Sequence, residues 1–383
     1  MQGMVPETAR MWKLVPGDAS RCRIASGERY GLGKFEGDLD AMQAGIDIAT
    51  KCIALKPDDP GGYLGRAGEE QSLHRFAQAR ADLENARTLK ATADQITPIE
   101  TELDWNDGKY DVAMPAILAA LSQHASMMTV ARVAQLDHDL GKMSDADRLF
   151  EQAEDLLPDA NPVPLAWLYM QRGMHLVKIG KLEDAVTFFR AAIDRIPNVA
   201  EREHLAEALH WLGQDDEAQG IYEDIVKTSR DPEFMGALAA IYRGRGRAKD
   251  ADALRAKATA RYAELVAQYP EAMYWHASEY FMGEGSDPKK ALALLQKNLV
   301  LRPNSASYVA LARAQLATGD AAGARVSVEK AIAMPLVSAE LYWTAARVYA
   351  AAGDAMRRDD FAAKAKALNP IIEKTEPPIA PHG

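Results

Sequence analysis

The sequence predicts an all-α fold, an α-solenoid of about ten helix-turn-helix repeats. Three observations carry that prediction. Ala79, Ala113, Ala146, Ala185, Ala218, Ala251, Ala291 and Ala324 recur so that five of the seven intervals between them are 33 or 34 residues. Gly108, Gly141, Gly180, Gly213, Gly246 and Gly319 run five residues ahead of those alanines, and Gly353 continues the series. Pro158, Pro197 and Pro303 each lie 12 residues beyond an alanine, with Pro57 and Pro370 at the matching points of the outer units. A period near 34 is the mark of stacked helical pairs, in which each unit buries its apolar face against its neighbours. A chain of 383 residues therefore needs no single core.

Read from the start, residues 1–24 form an irregular leader without the basic start and apolar stretch of a secretory signal. The expected compartment is cytoplasmic as written, or periplasmic if a signal peptide has been removed. Within the first unit, about Ala25 to Asp59, Gly45 stands where the ladder calls for alanine. Gly31, Gly33 and Gly37 come near a dinucleotide fingerprint, but the third glycine is one residue late and no apolar strand precedes them. Cys22 and Cys52, the only cysteines, allow either a disulfide that ties down the leader or two reduced thiols.

Units over 25–159 make an N-terminal block, units over 160–270 a central one and units over 271–370 a C-terminal one. Asp159 to Leu165, with two prolines, explains the 39-residue interval, and a long helix over Ala248 to Gln268 explains the 40-residue one. The tail over 371–383 is expected to be disordered, because its prolines prevent a helix from continuing.

One unit shows why these residue types recur. Between Gln171 and Pro197, Gly180 suits the left-handed conformation that ends a helix. Gly173 and Ala185 are small where the two helices cross, and Phe189 fills the space beside them. Pro197 lacks an amide donor and stops the second helix. Ala134, Gly141, Ala146, Phe150, Ala153 and Pro158 repeat the set, as do Leu205, Ala206, Leu209, Gly213, Ala218 and Tyr222.

This pattern resembles the tetratricopeptide repeat over roughly Ala25 to Pro370. The stretch Tyr280 to Ala291, with Gly283 and Gly285 followed by Lys290, looks more like the related Sel1-like repeat. The resemblance implies a right-handed superhelix whose concave wall is lined by the first helix of each unit. It places Met128, Arg132, Gln135 and His138, then Trp167, Met170, Gln171 and Met174, then Glu203, Glu207, His210 and Trp211 on that wall as partner-binding candidates. His276, Tyr280, Arg313, Trp343 and Arg347 extend it. Methionines repack around varied side chains and tryptophans offer large rigid contact area, which is what a peptide groove needs. The lysine and asparagine pairs of carboxylate-clamp members are missing from these positions.

No catalytic constellation stands out: there is no His-Glu-x-x-His, no Gly-x-Ser-x-Gly and no phosphate loop. Asp215-Asp216 and Asp359-Asp360 read as solvated helix starts. The expectation is no enzyme, no cofactor and no resident metal. A net charge of -10 argues against nucleic acid, and Arg243 to Arg247 reads as a solvated turn. No apolar run reaches about 18 residues, so no membrane insertion is expected.

The expected function is a protein-interaction scaffold that takes a partner's peptide or helix in the concave groove. A regulatory sensor of a small ligand or signalling peptide is the alternative. A metal-dependent enzyme using His138, Glu203, Glu207 and His210 stands well behind both.

Overall fold

The computed structural model describes residues 18–157 and 162–376, among which there are 21 helices. Twenty pair in chain order as ten hairpins. α1 (Ala19–Glu36) pairs with α2 (Leu39–Leu55), α3 (Pro60–Ser72) with α4 (Phe76–Thr88), α5 (Ala93–Asn106) with α6 (Tyr110–Gln123), and α7 (Met127–Asp139) with α8 (Met143–Asp155). α9 (Pro162–Lys178) pairs with α10 (Leu182–Arg195), α11 (Val199–Trp211) with α12 (Asp215–Thr228), and α13 (Pro232–Gly244) with α14 (Ala248–Gln268). α15 (Pro270–Met282) pairs with α16 (Pro288–Leu301), α17 (Ser305–Ala317) with α18 (Ala321–Ile332), and α19 (Ala339–Ala351) with α20 (Ala355–Leu368). A short α21 (Ile372–Thr375) follows. No strand occurs among the described residues.

The glycine ladder is the set of hairpin turns. Gly108, Gly141, Gly180, Gly213, Gly246, Gly319 and Gly353 all have φ between 71° and 85°. At Gly180 the amide donates to Val177 O at 3.0 Å and the following Lys181 amide donates to Leu176 O at 2.9 Å, which satisfies two carbonyls that the end of α9 would leave unpaired. The second hairpin departs from this, with His74 at φ 60° in the turn position. In the eighth, a longer turn over 283–287 carries Ser286 at φ 49°.

All eight ladder alanines are fully buried at the crossing of the paired helices. In the first hairpin Gly45 serves that crossing, because a Cβ there would lie 2.8 Å from Tyr30 Cβ. The glycines at 31, 33 and 37 have structural places instead of a cofactor role: Gly31 and Gly33 lie within α1, Gly33 closely packed on Met42, and Gly37 caps the helix at φ 66°.

Two expectations about the ends change, and the open question of the cysteines is decided. Residues 18–24 start α1 rather than belonging to an irregular leader, because the Asp18 side chain accepts from the Ser20 and Arg21 amides. The Cys22–Cys52 disulfide joins α1 to α2. At the other end residues 371–376 are ordered: Ile372 is 1% exposed and packs with Trp343, while Glu376 pairs with Arg313 at 3.1 Å. Residues 1–17, residues 158–161, Pro158 among them, and residues 377–383 lie outside the described residues. α9 begins at Pro162 and runs 17 residues, and α14 runs 21, so both long repeat intervals are absorbed at least partly by extra helix.

The superhelix closes on itself. The turn of each of the first five hairpins meets chain about five hairpins further on. Gly37 lies against Val199, Ser229 and Phe234, and Tyr269 Oη donates to Asp40 Oδ1 at 2.6 Å. His74 Nε2 is 3.2 Å from Arg302, Ser305 donates its amide to Tyr110 Oη at 3.1 Å, and Val337 donates its amide to Asp139 O at 2.7 Å. Gly180 sits beside Asn369 and Ile371. Successive superhelical turns are therefore in contact, and the inner faces of the first helices enclose a lumen.

Candidate functional site

Two adjoining cavities fill that lumen, and they share Asp139, Met174 and Lys178 as lining. The first, about 1250 Å³, is walled by α5, α6, α7 and α9. It collects Met128, Arg132, Gln135, His138, Trp167, Gln171 and Met174 from the sequence-derived candidates. Met128 keeps half its surface exposed, whereas Trp167 packs partly against the core under α7 and α8.

Its polar side chains are cross-braced between neighbouring hairpins. Gln135 Nε2 donates to Gln171 Oε1 at 2.5 Å. Arg132 pairs with Glu102 at 2.9 Å and lies over the Trp105 ring. His138 Nδ1 is 2.8 Å from His175 Nδ1, and His175 Nε2 is 3.0 Å from Asp147. Burial, reinforced by Lys178 and His175, holds the His138 imidazole neutral by pushing it down to about 2.

The second cavity, about 1000 Å³, is lined from α9, α11, α15 and α17 and by residues 374–376 of the C-terminal segment. Met174, Glu207 and Trp211 line it. Beside it lies a cluster of charges on three consecutive first helices and the residue before one of them. Glu203, His204 and Glu207 stand on α11, Asp231 and Glu233 at the start of α13, and His276 and Glu279 on α15. Glu203 accepts from Tyr222 Oη at 3.4 Å, and His276 Nδ1 is 3.4 Å from Glu233.

Burial alone would push the His204 imidazole down, but Glu203, Glu207 and Glu233 hold it protonated, up to about 9. Burial and then the charge of Glu203 push the Glu207 carboxyl up. Glu279 rises to about 7, chiefly through burial. Five carboxylates thus face two imidazoles in a confined space.

The remaining candidates lie elsewhere. Met170 is half-buried and lines neither cavity. His210 is at the end of α11, turned to the hairpin loop, where its Nδ1 lies 2.7 Å from Asp215. His138 and His210 are thus not brought to Glu203 and Glu207, and the four-residue metal grouping read from sequence does not form. Trp343, at 2% exposure, and Tyr280, at 7%, are core residues. His204, Asp231 and His175 were not among the sequence-derived candidates. Glu203 and Glu207 are spaced i, i+4 with His204 between them, which was a visible signal.

No family model matches the chain, and no curated protein matches it. Solved structures do resemble it. A tetratricopeptide repeat protein from Parabacteroides merdae is 18% identical, with a TM-score of 0.37, over 64% of this chain and 94% of that one. Yeast Tom70 is 15% identical, with a TM-score of 0.43, over 97% of this chain and 89% of its own. PilW, a type IV pilus biogenesis factor, is 19% identical, with a TM-score of 0.34, over 55% of this chain and 96% of its own. With eight glycine-ended turns, alanines buried at every regular crossing and ten hairpins stacked in chain order, the chain has a tetratricopeptide-like α-solenoid architecture.

Proposed function

We propose that the chain is a non-enzymatic interaction scaffold that receives an extended peptide or a helix of a partner protein in the lumen. The observation that carries this reading is the first cavity. About 1250 Å³ of space is walled by Met128, Trp167 and Met174, with Arg132, Gln135 and Gln171 between them. Apolar anchors interleaved with hydrogen-bonding groups fit a peptide, whose backbone and side chains need both. The Gln135–Gln171 and Arg132–Glu102 braces hold that wall in place before a partner arrives, which lowers the entropy lost on binding. The Cys22–Cys52 disulfide supports work in an oxidising compartment.

Affinity purification from the source organism, with partners identified by mass spectrometry, supplies the test. A partner recovered with the native chain is expected to be lost with Trp167→Ala and Met174→Ala, while exposed Glu183→Gln on α10 recovers it fully. Equal recovery by all three variants would sink the placement of the site in the first cavity.

A further inference from the structure

We propose that Glu203, His204 and Glu207 on α11 form a site for one zinc-class divalent ion at the edge of the second cavity. One carboxylate oxygen or imidazole nitrogen from each residue lies within 4.8 Å of the others. Two ligands on one tetrahedral zinc stand roughly 3.4 Å apart, so side-chain rotation suffices to close the set. Residues i, i+1 and i+4 of a helix achieve this because 3.6 residues per turn bring the two glutamates to one face and leave the imidazole beside it. An imidazole with two carboxylates suits zinc better than magnesium or calcium, which prefer oxygen alone.

The nearest pair in the set is already close: His204 Nδ1 lies 2.9 Å from Glu203 Oε2. Glu201, on the same helix and only 3% exposed, leaves Oε2 without a partner, and the one side-chain charge that attracts it is His204. Glu207 lines the cavity and has no hydrogen bond or ion pair among the described residues.

The surroundings favour a cation as well. Phe189 stacks on the His204 ring at 5.7 Å between centroids and fixes its plane. Glu233 and Glu279 bring two further carboxyl groups near Glu207, with His276 Nδ1 3.4 Å from Glu233. His204 and Glu207 both line the cavity, which leaves the remaining coordination position facing that space. The site does not depend on the partner reading, and partner capture is measured separately with chelator present.

The test is isothermal titration of the full chain, stripped with chelator, using zinc chloride. One zinc per chain is expected. Glu207→Gln keeps the side-chain shape and is expected to weaken binding at least about tenfold, as is His204→Gln. Glu183→Gln and His138→Gln are expected to bind like the native chain, the second excluding the His138–His175 pair as the zinc site. Circular dichroism verifies that each variant is folded, and if His204→Gln is not, Glu207→Gln decides. The absence of stoichiometric zinc from the native chain, or native affinity in folded Glu207→Gln, overturns the proposal.

Discussion

Two histidines place opposite demands on stability from those of a buried glutamate. Burial pushes His74 down to about 3 and His138 down to about 2, so both are neutral when folded and charged when the unfolded chain is at acid pH. Below about pH 6.5 the unfolded state binds more protons than the folded one, and stability falls as pH falls, by up to about 1.4 kcal/mol per pH unit for each histidine. Glu69, raised by burial to about 7, acts in reverse. Its contribution is complete below the ordinary carboxyl range and is lost as pH rises through 7. Urea unfolding across pH 4 to 8 is expected to show a stability maximum on the acid side of neutrality. His138→Gln flattens the acid limb and Glu69→Gln flattens the neutral limb. A native acid limb retained in His138→Gln would contradict the assignment for that residue.

At the scale of the hairpin, the turns are where backbone geometry and tertiary contact separate. Gly213 and Gly180 share φ 79°, but a Cβ at Gly213 meets open space, whereas one at Gly180 would come within 2.6 Å of Asn369 Oδ1. Gly213→Ala therefore loses only the left-handed strain, about 1–2 kcal/mol. Gly180→Ala is expected to lose more, because it also pushes the C-terminal segment off the turn. Thermal unfolding of the pair measures the difference, and equal losses would mean that the segment is not seated there. The hairpins themselves were legible in sequence. Glycine, alanine and proline at fixed spacing record local constraints, namely a left-handed turn, a close crossing and a helix stop. The second and eighth turns were harder to read, because His74 and Ser286 take the same conformation without the residue type that signals it.

For the whole molecule, closure of the superhelix makes distant hairpins interdependent. An open solenoid is stabilised by neighbours alone. Here Asp40 accepts from Tyr269 and Val337 donates to Asp139, which ties early hairpins to late ones. Small-angle scattering of the native chain is expected to give a radius of gyration within a few Å of the roughly 21 Å of a compact 383-residue globule. Asp40→Ala combined with Tyr269→Phe is expected to raise it at unchanged helicity. An extended native particle would refute the closure.

The candidate site was legible only in part for the same reason. The resemblance to the tetratricopeptide repeat placed Met128, Arg132, Gln135, Trp167, Gln171 and Met174 on one wall, since in that repeat neighbouring first helices face alike. Periodicity carried no information on which end of a helix is turned to the loop, so His210 was misplaced, nor on which inner positions a later turn covers, so Trp343 was taken for wall rather than core.

By itself the sequence determined the repeat, the turn positions and the buried crossings, because each is set by a few residues close together along the chain. The tertiary structure alone decided that the groove is a lumen, that residues 374–376 line it, and that Glu203, His204 and Glu207 lie beside Asp231, Glu233, His276 and Glu279. Those outcomes depend on small rotations between hairpins that accumulate over five units, and no short stretch of sequence encodes that sum.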